Sequence, residues 1–264
     1  MTHLTFMFPN FPYSKHFKRD AARKEMVRIF TKTIQARRKK PAEPNSDLVQ
    51  VFIDSEYMDG RKLNDDEICG LLLAALFAGQ HTSTITATWL GLNIMQNQEK
   101  HFPKLLEEQA TVLREHKGEV TLDSLEDMTY LHNCAKETLR KYPPLTLLMR
   151  EVKQEFKYKN KDVEYTIPVG DIMITCPSVN HHVPSVFKNP KEFEPERFDV
   201  NGRFEDKKPY VFNAFGAGRH VCLGRSFGLL QIKAIWSTLL RKYDFESVCI
   251  NKSKRFPKQI IHSL

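Results

Sequence analysis

The chain has 264 residues, 41% hydrophobic and 27% charged, which excludes a disordered or collagen-like protein and allows a sizeable core in one large domain. Its net charge of +8 is local: residues 14–40 hold eleven Lys or Arg against Asp20 and Glu25, and the remainder carries −1. One basic segment is not the spread footprint of a nucleic-acid-binding surface, so no nucleic-acid partner is expected.

Residues 1–12 lack a basic n-region, and Pro9 and Pro12 interrupt their apolar run, so they do not read as a signal peptide. Segment 14–40 reads as a helix with a solvated basic face and with Ala22, Met26, Ile29, Phe30 and Thr33 at helical spacing opposite. Asn64-Asp65-Asp66-Glu67 opens a second helix, its acidic residues at the positive end of the dipole. No charged residue occurs over 68–98, roughly 45 Å of helix at about 1.5 Å per residue. Residues 71–78 are wholly apolar, but Gln80, His81, Thr82, Ser83, Thr84, Thr86 and Thr88 follow, and polar groups at mid-depth are expensive in lipid. The segment is therefore read as a helix ending near Gln96 and buried through the centre of a globular domain. Its polar middle must find partners or face a cavity.

A shorter helix follows over 103–116, stopped by Gly118. Asp123-Ser124-Leu125-Glu126 reads as a capping box opening a helix that runs to Lys141 and ends at Tyr142-Pro143-Pro144. Beyond it 146–152 reads as a strand, and 163–167 with 172–176 as a hairpin turned at Pro168-Val169-Gly170. Residues 180–212, with Pro184, Pro190, Pro195 and Pro209, form a long irregular stretch of the kind that wraps a functional feature. A last helix spans 222–241. The fold class is mainly α (α+β), with one long central helix and a small sheet. The five cysteines, Cys69, Cys134, Cys176, Cys222 and Cys249, show no C-x-x-C pair, so they are neither a disulfide framework nor a zinc ribbon.

One cysteine stands apart. In Phe215-Gly216-Ala217-Gly218-Arg219-His220-Val221-Cys222-Leu223-Gly224, three glycines crowd Cys222, and glycine lets a backbone approach a bulky flat group closely. A cysteine at a helix N-terminus is favoured as thiolate, and a lone buried thiolate implies a metal partner. The alternative is a loop with an inert buried cysteine. Glu137 and Arg140, spaced i and i+3, share a helix face and can pair.

The full spacing Phe-x-x-Gly-x-x-x-Cys-x-Gly resembles the haem-thiolate loop of the cytochrome P-450 superfamily, whose Cys is the axial iron ligand. The resemblance covers about residues 6–262 and corresponds to the C-terminal half or so of a family member. It assigns Cys222 as metal ligand and Phe215, Gly216, Gly218, His220 and Gly224 as haem contacts. It joins Glu137 and Arg140 to Arg197 of Pro195-Glu196-Arg197-Phe198 as a structural triad. Ala78-Gly79-Gln80-His81-Thr82 resembles the oxygen-binding groove, with Ala78 and Gly79 against the cofactor and His81 and Thr82 as catalytic proton handlers. Several segments resemble the sterol 14α-demethylases more closely: the run 78–83, Leu148-Met149-Arg150, Tyr165-Thr166-Ile167-Pro168, Gln231-Ile232-Lys233, and His220 where most of the superfamily carries Arg.

That resemblance implies haem b (iron protoporphyrin IX), a sterol substrate, O2, and electrons from NADPH through a cytochrome reductase. Arg150 and His220 would pair with haem propionates, and Leu147, Met149 and Ile260 or Ile261 would line the sterol pocket. The reaction implied is oxidative removal of the sterol 14α-methyl group. The rivals are another haem-thiolate oxidase of lipids or xenobiotics, and a truncated haem-binding fragment without activity. The chain is read as a single partial domain over 1–264, with the N-terminal anchor, early helices and substrate lid of the family absent. The full-length protein is expected on the cytosolic face of the endoplasmic reticulum membrane, whereas this chain alone is not expected to turn sterol over.

Overall fold

The computed structural model describes residues 14–199, 210–248 and 258–263. Pro209 and Cys249 lie outside them, as do the side chains of Ile260 and Ile261. The chain divides into two compact units, Met1–Gln80 and His81–Leu264.

The first unit holds α1 (Ser14–Lys39), α2 (Leu48–Asp54) and the first half of α3 (Asp65–Gln96). Asp47 caps α2 by accepting from Gln50 N at 2.8 Å and pairs with Arg37 of α1 at 2.8 Å. Ile34, Ile53, Leu63, Ile68, Cys69 and Leu72 form its core, with Val27 and Phe30 packed against them. The buried stripe of α1 is thus Val27, Phe30 and Ile34, whereas Ala22, Ile29 and Thr33 of the expected stripe face solvent. Successive helical residues point about 100° apart, so a small offset in the sequence reading rotates the face. Asn64 and Glu67 cap each other at the start of α3, at 2.8 and 2.9 Å. The Arg61 guanidinium and the Asn64 N–H lower the Glu67 carboxyl to about 2.

The second unit contains the rest of α3, then α4 (Gln98–Glu115), α5 (Leu122–Asp127) and α6 (Thr129–Lys141). Helix α4 starts five residues before Pro103, because a proline so early removes only one backbone bond while Lys100 and His101 N–H still reach Asn97 O. Gly118, at φ +83°, ends the turn beyond it. The expected single helix over 123–141 is two. Thr121 and Ser124 form the capping box, and Met128 breaks the helix as its side chain fills the core. Glu108 of α4 then caps α6, accepting from Tyr130 N and from Leu131 N at 2.9 Å. Burial pushes the Glu108 carboxyl up, against the lowering pull of those N–H groups.

Strands β1 (Leu148–Glu151), β2 (Phe156–Asn160), β3 (Val163–Ile167) and β4 (Ile172–Thr175) pair as β1–β4 and β2–β3, both antiparallel. The expected β3–β4 hairpin does not form. Lys161, at φ +53°, turns β2 into β3, while Val152 pairs with Gly170 and Asp171 and carries the chain from one sheet to the other. A short helix α7 (Pro177–Asn180) and a 3-10 turn (Pro195–Phe198) punctuate the irregular stretch. Helix α8 (Arg225–Lys242) and the antiparallel pair β5 (Tyr243–Val248) and β6 (Lys258–Ser263) follow. The core gathers Leu90, Ile94, Leu105, Leu131, Leu139, Ile232, Trp236 and Leu240. Trp236 Nε1 donates to Ala87 O at 3.0 Å, and the Trp236 ring lies where a side chain at Gly91 would stand, so α3 and α8 approach closely.

The expectation that α3 is buried along its length is corrected. Ile68, Cys69 and Leu72 are buried near one end and Thr86, Leu90, Asn93 and Ile94 near the other, but residues 74–81 are exposed. By length and composition alone α3 could cross a membrane. Both ends are committed to protein cores instead.

Candidate functional site

Glu137 and Arg140 project from one face of α6 into the fold of the irregular stretch, and the 3-10 turn brings Arg197 to them. All three side chains are fully buried. Arg140 donates Nε to Glu137 Oε2 at 2.7 Å and Nη2 to Oε1 at 2.8 Å, a forked pair that fixes both groups. Arg197 Nε reaches Glu137 Oε1 at 3.3 Å, and Arg197 also pairs with Glu194 at 2.7 Å. The remaining donors pin the loop: Arg140 to His181 O (2.8 Å) and Glu192 O (3.1 Å), Arg197 to Asn189 O (2.8 Å). Glu194 N–H returns to Glu137 at 3.0 Å. Buried charges demand such partners, since an unpaired one is far costlier than a lost contact.

Two participants escaped the sequence reading. Glu194 stands three residues before Arg197, a spacing that could have revealed it. His181 is fully buried: its Nδ1 meets Arg140 O at 3.1 Å and its Nε2 accepts from Asn213 N at 3.1 Å. Burial lowers His181 from 6.5 to about 4, with the neighbouring positive charge of Arg140 opposed by its own bond to Arg140 O. No local pattern distinguishes it from His182.

From Asn213 the chain enters the glycine loop. Gly216 N donates to Asn213 O at 2.9 Å, and Gly216 takes φ +74°, where a side chain would press within 3.2 Å of His220 O. Gly218, at φ +67°, opens a 3-10 turn ending at His220. Cys222 N then bonds back to Phe215 O at 2.8 Å, closing the loop. Helix α8 starts at Arg225, three residues beyond the expected start. Cys222 therefore precedes the helix, held by the loop's own bonds. Its thiol is exposed, and a side chain at Gly224 would stand 3.9 Å from Sγ, an ordinary contact. Phe215 lies under the guanidinium of Arg225, 5.5 Å from the ring centre.

The other expected residues are more dispersed. Arg150 is exposed on β1, with Nη1 on Met149 O at 2.8 Å. Leu147 and Met149 are exposed beside it. Ala78 and Gly79 are exposed on the part of α3 in the first unit; His81, exposed, and Thr82, half-buried, begin the second. Within the second unit, a side chain at Gly228 of α8 would stand 3.8 Å from Ser83 Oγ, so the residue after Thr82 borders the helix that follows Cys222.

Among the described residues no group of three His, Cys, Asp or Glu could hold a metal ion. Cys222 offers one soft donor on an open loop, with half-buried Phe215 and exposed Val221, Leu223 and Phe227 around it in sequence. This donor set suits a metal that brings its own equatorial ligands within an apolar disc, and so fits a haem.

The cytochrome P450 family model matches residues 1–262. The sterol 14-demethylase of Arabidopsis thaliana is 44% identical over 94% of this chain and 51% of its own length. The lanosterol 14-alpha demethylase of Bos taurus is 38% identical over 94% and 48%. The retinoic acid-bound cyanobacterial CYP120A1 superposes with a TM-score of 0.80 at 25% identity, covering 96% of this chain and 59% of that structure. The chain thus spans about half the length of the curated relatives it matches.

Proposed function

Since the chain belongs to the cytochrome P450 family, we propose that it forms the thiolate-bearing part of a haem-dependent monooxygenase that removes the 14α-methyl group of a sterol. The observation that carries the haem reading is the exposed Cys222 thiol, presented by a loop locked through Cys222 N on Phe215 O. The sterol reading is supported by the names of the relatives at 37–44% identity.

Cys222 would hold the iron of haem b as thiolate. When bound, the haem supplies the activation of O2, and a thiolate ligand favours O–O cleavage. The protein's own part is positional. Gly216 and Gly218 permit the left-handed turns of the loop that presents Cys222 outward. Phe215 would pack near the thiolate and shield it. Arg150 and His220, both exposed cations or potential cations, would pair with the propionates. His81 and Thr82, on consecutive positions of α3, would hold and pass protons. The Glu137–Arg140–Arg197 cluster takes no part in oxygen chemistry: it fixes the irregular stretch from His181 to Glu194. Electrons would come from NADPH through a reductase, on the cytosolic face of the endoplasmic reticulum membrane.

The test is to load the protein with haem, add an NADPH-dependent cytochrome reductase and a 14α-methyl sterol, and measure formate release with formation of the 14,15 double bond. Hydroxylation of fatty acids with no attack on the sterol would assign the protein to another haem-thiolate oxidase.

A further inference from the structure

The buried triad and the cysteine loop are far apart in sequence, yet one side chain is bonded to both. His181 and Arg140 exchange hydrogen bonds: Arg140 Nη1 donates to His181 O at 2.8 Å, and the His181 ring meets Arg140 O through Nδ1 at 3.1 Å. On its other side Nε2 faces the N–H of Asn213 at 3.1 Å. A backbone N–H can only donate, so Nε2 must accept and the ring proton must lie on Nδ1. The ring is wedged between Phe212, stacked at 5.2 Å, and Phe187, edge-on at 5.9 Å. Beyond Asn213 the path is all backbone: Asn213 O takes Gly216 N at 2.9 Å, and Phe215 O takes Cys222 N at 2.8 Å.

We propose that His181 is a positioning residue for the thiolate, a neutral buried imidazole that transmits the fixed geometry of Glu137, Arg140 and Arg197 to the loop carrying Cys222. The inference rests on the reading of Cys222 as haem ligand, and it gives the triad a reach that its own contacts do not have. Among the described residues the triad's arginines donate to Asn189 O, His181 O, Glu192 O and the Glu194 carboxylate. Among the described residues the imidazole carries that framework by hydrogen bonds to Asn213, which begins the glycine turn. A positively charged imidazole would present a second donor to the Asn213 N–H and break the link, so the neutral form is the working one. Burial already favours that form.

The test uses His181→Phe, which keeps the ring stacking and apolar burial but deletes both ring hydrogen bonds. In the haem-free chain, exchange of the Asn213, Gly216 and Cys222 amides should quicken about fivefold to tenfold, the worth of a hydrogen bond of about 1 kcal/mol. The Glu194 amide, bonded to Glu137, should stay protected. In the haem-loaded chain, the carbon monoxide complex should shift from the red-shifted Soret band of thiolate ligation towards the band of a neutral thiol. Unchanged exchange at Gly216 and Cys222 in a variant with intact Glu194 protection would overturn the proposal. Should His181→Phe not fold, nitrogen-15 shifts of His181 in the unaltered chain decide: a proton on Nδ1 and a bare Nε2 support it, and a proton on Nε2 refutes it. If the unaltered chain itself gave no thiolate band, Cys222 would not be the ligand, while the amide exchange would still judge the coupling.

Discussion

Replacing Arg140 with alanine removes more than an ion pair. The side chain makes a forked pair with Glu137 at 2.7 and 2.8 Å and covers two loop carbonyls, His181 O and Glu192 O. In Arg140→Ala, Glu137 keeps Arg197 Nε at 3.3 Å and Glu194 N at 3.0 Å, so its charge is only partly met in a fully buried site. Breaking a buried pair from one side costs about 3–5 kcal/mol. Domains hold only about 5–15 kcal/mol in total, so the loss is a large share of the whole. With a urea slope of about 3 kcal/mol per molar, the midpoint should fall by at least about 1 M. Lys157→Ala is the control. Its pair with Glu164 at 2.9 Å is more than half exposed on both sides and should move the midpoint little, as surface pairs are worth about 0–1 kcal/mol. Urea titrations of the three proteins, followed by circular dichroism, test the difference. A midpoint for Arg140→Ala within that of Lys157→Ala would refute the view that the triad is a buried structural unit.

Further outcomes follow from other contacts. His181 binds its proton near pH 6.5 when unfolded and near 4 when folded, so the unfolded chain holds more protons between those values and stability falls as pH drops through that window. The gap amounts to about 3 kcal/mol, to be read as an acid-side slope in urea midpoints that His181→Gln lacks. Haem-loaded protein, reduced under carbon monoxide, should show the thiolate Soret band; Cys222→Ala should abolish it, and Cys69→Ala, a change in the first unit's core, should not. Gly91→Ala drives a methyl into the buried Trp236 ring and should destabilise by about 1–3 kcal/mol. Gly70→Ala, on the same helix with open space around it, should stabilise by about 0.5–1 kcal/mol, as thermal unfolding of the two variants would show.

The features legible in the sequence are those whose physics is complete within a few residues. Asn64 and Glu67 announce the start of α3 because their reciprocal cap spans three residues. Gly118 announces an end because only a residue tolerant of φ +83° serves there. The strand partners were not legible. Pro168-Val169-Gly170 and Lys161-Asp162 are both adequate turns, and the choice between them is made by β1, whose partner β4 begins more than twenty residues further on. The buried stripe of α1 is not legible for a related reason. Ile29 and Ile34 are equally apolar, and only the core of Ile53, Ile68 and Leu72 selects Ile34.

The same contrast runs through the candidate site. Cys222 was conspicuous because three glycines crowd it, yet the helix beginning at Arg225 shows that the loop, and not a helix N-terminus, holds the thiol. Glu137 and Arg140 were recognisable as a pair because opposite charges at i and i+3 can meet on any helix. Whether such a pair is a solvated ornament or a buried anchor depends on what closes over it, and here the closure consists of backbone. His181 O, Asn189 O, Glu192 O and Glu194 N all come from a segment with little regular structure, whose carbonyls and amides would otherwise lack partners inside the fold. The charges and the irregular chain therefore solve each other's problem: the loop's polar backbone satisfies the buried arginines, and the arginines give the loop one shape. A periodic segment needs no such device, which explains why the most charged part of this core lies where the sequence is least regular. In that cluster His181 bonds both Arg140 O and Asn213 N, the placement from which it is proposed to pass the loop's shape on to Cys222.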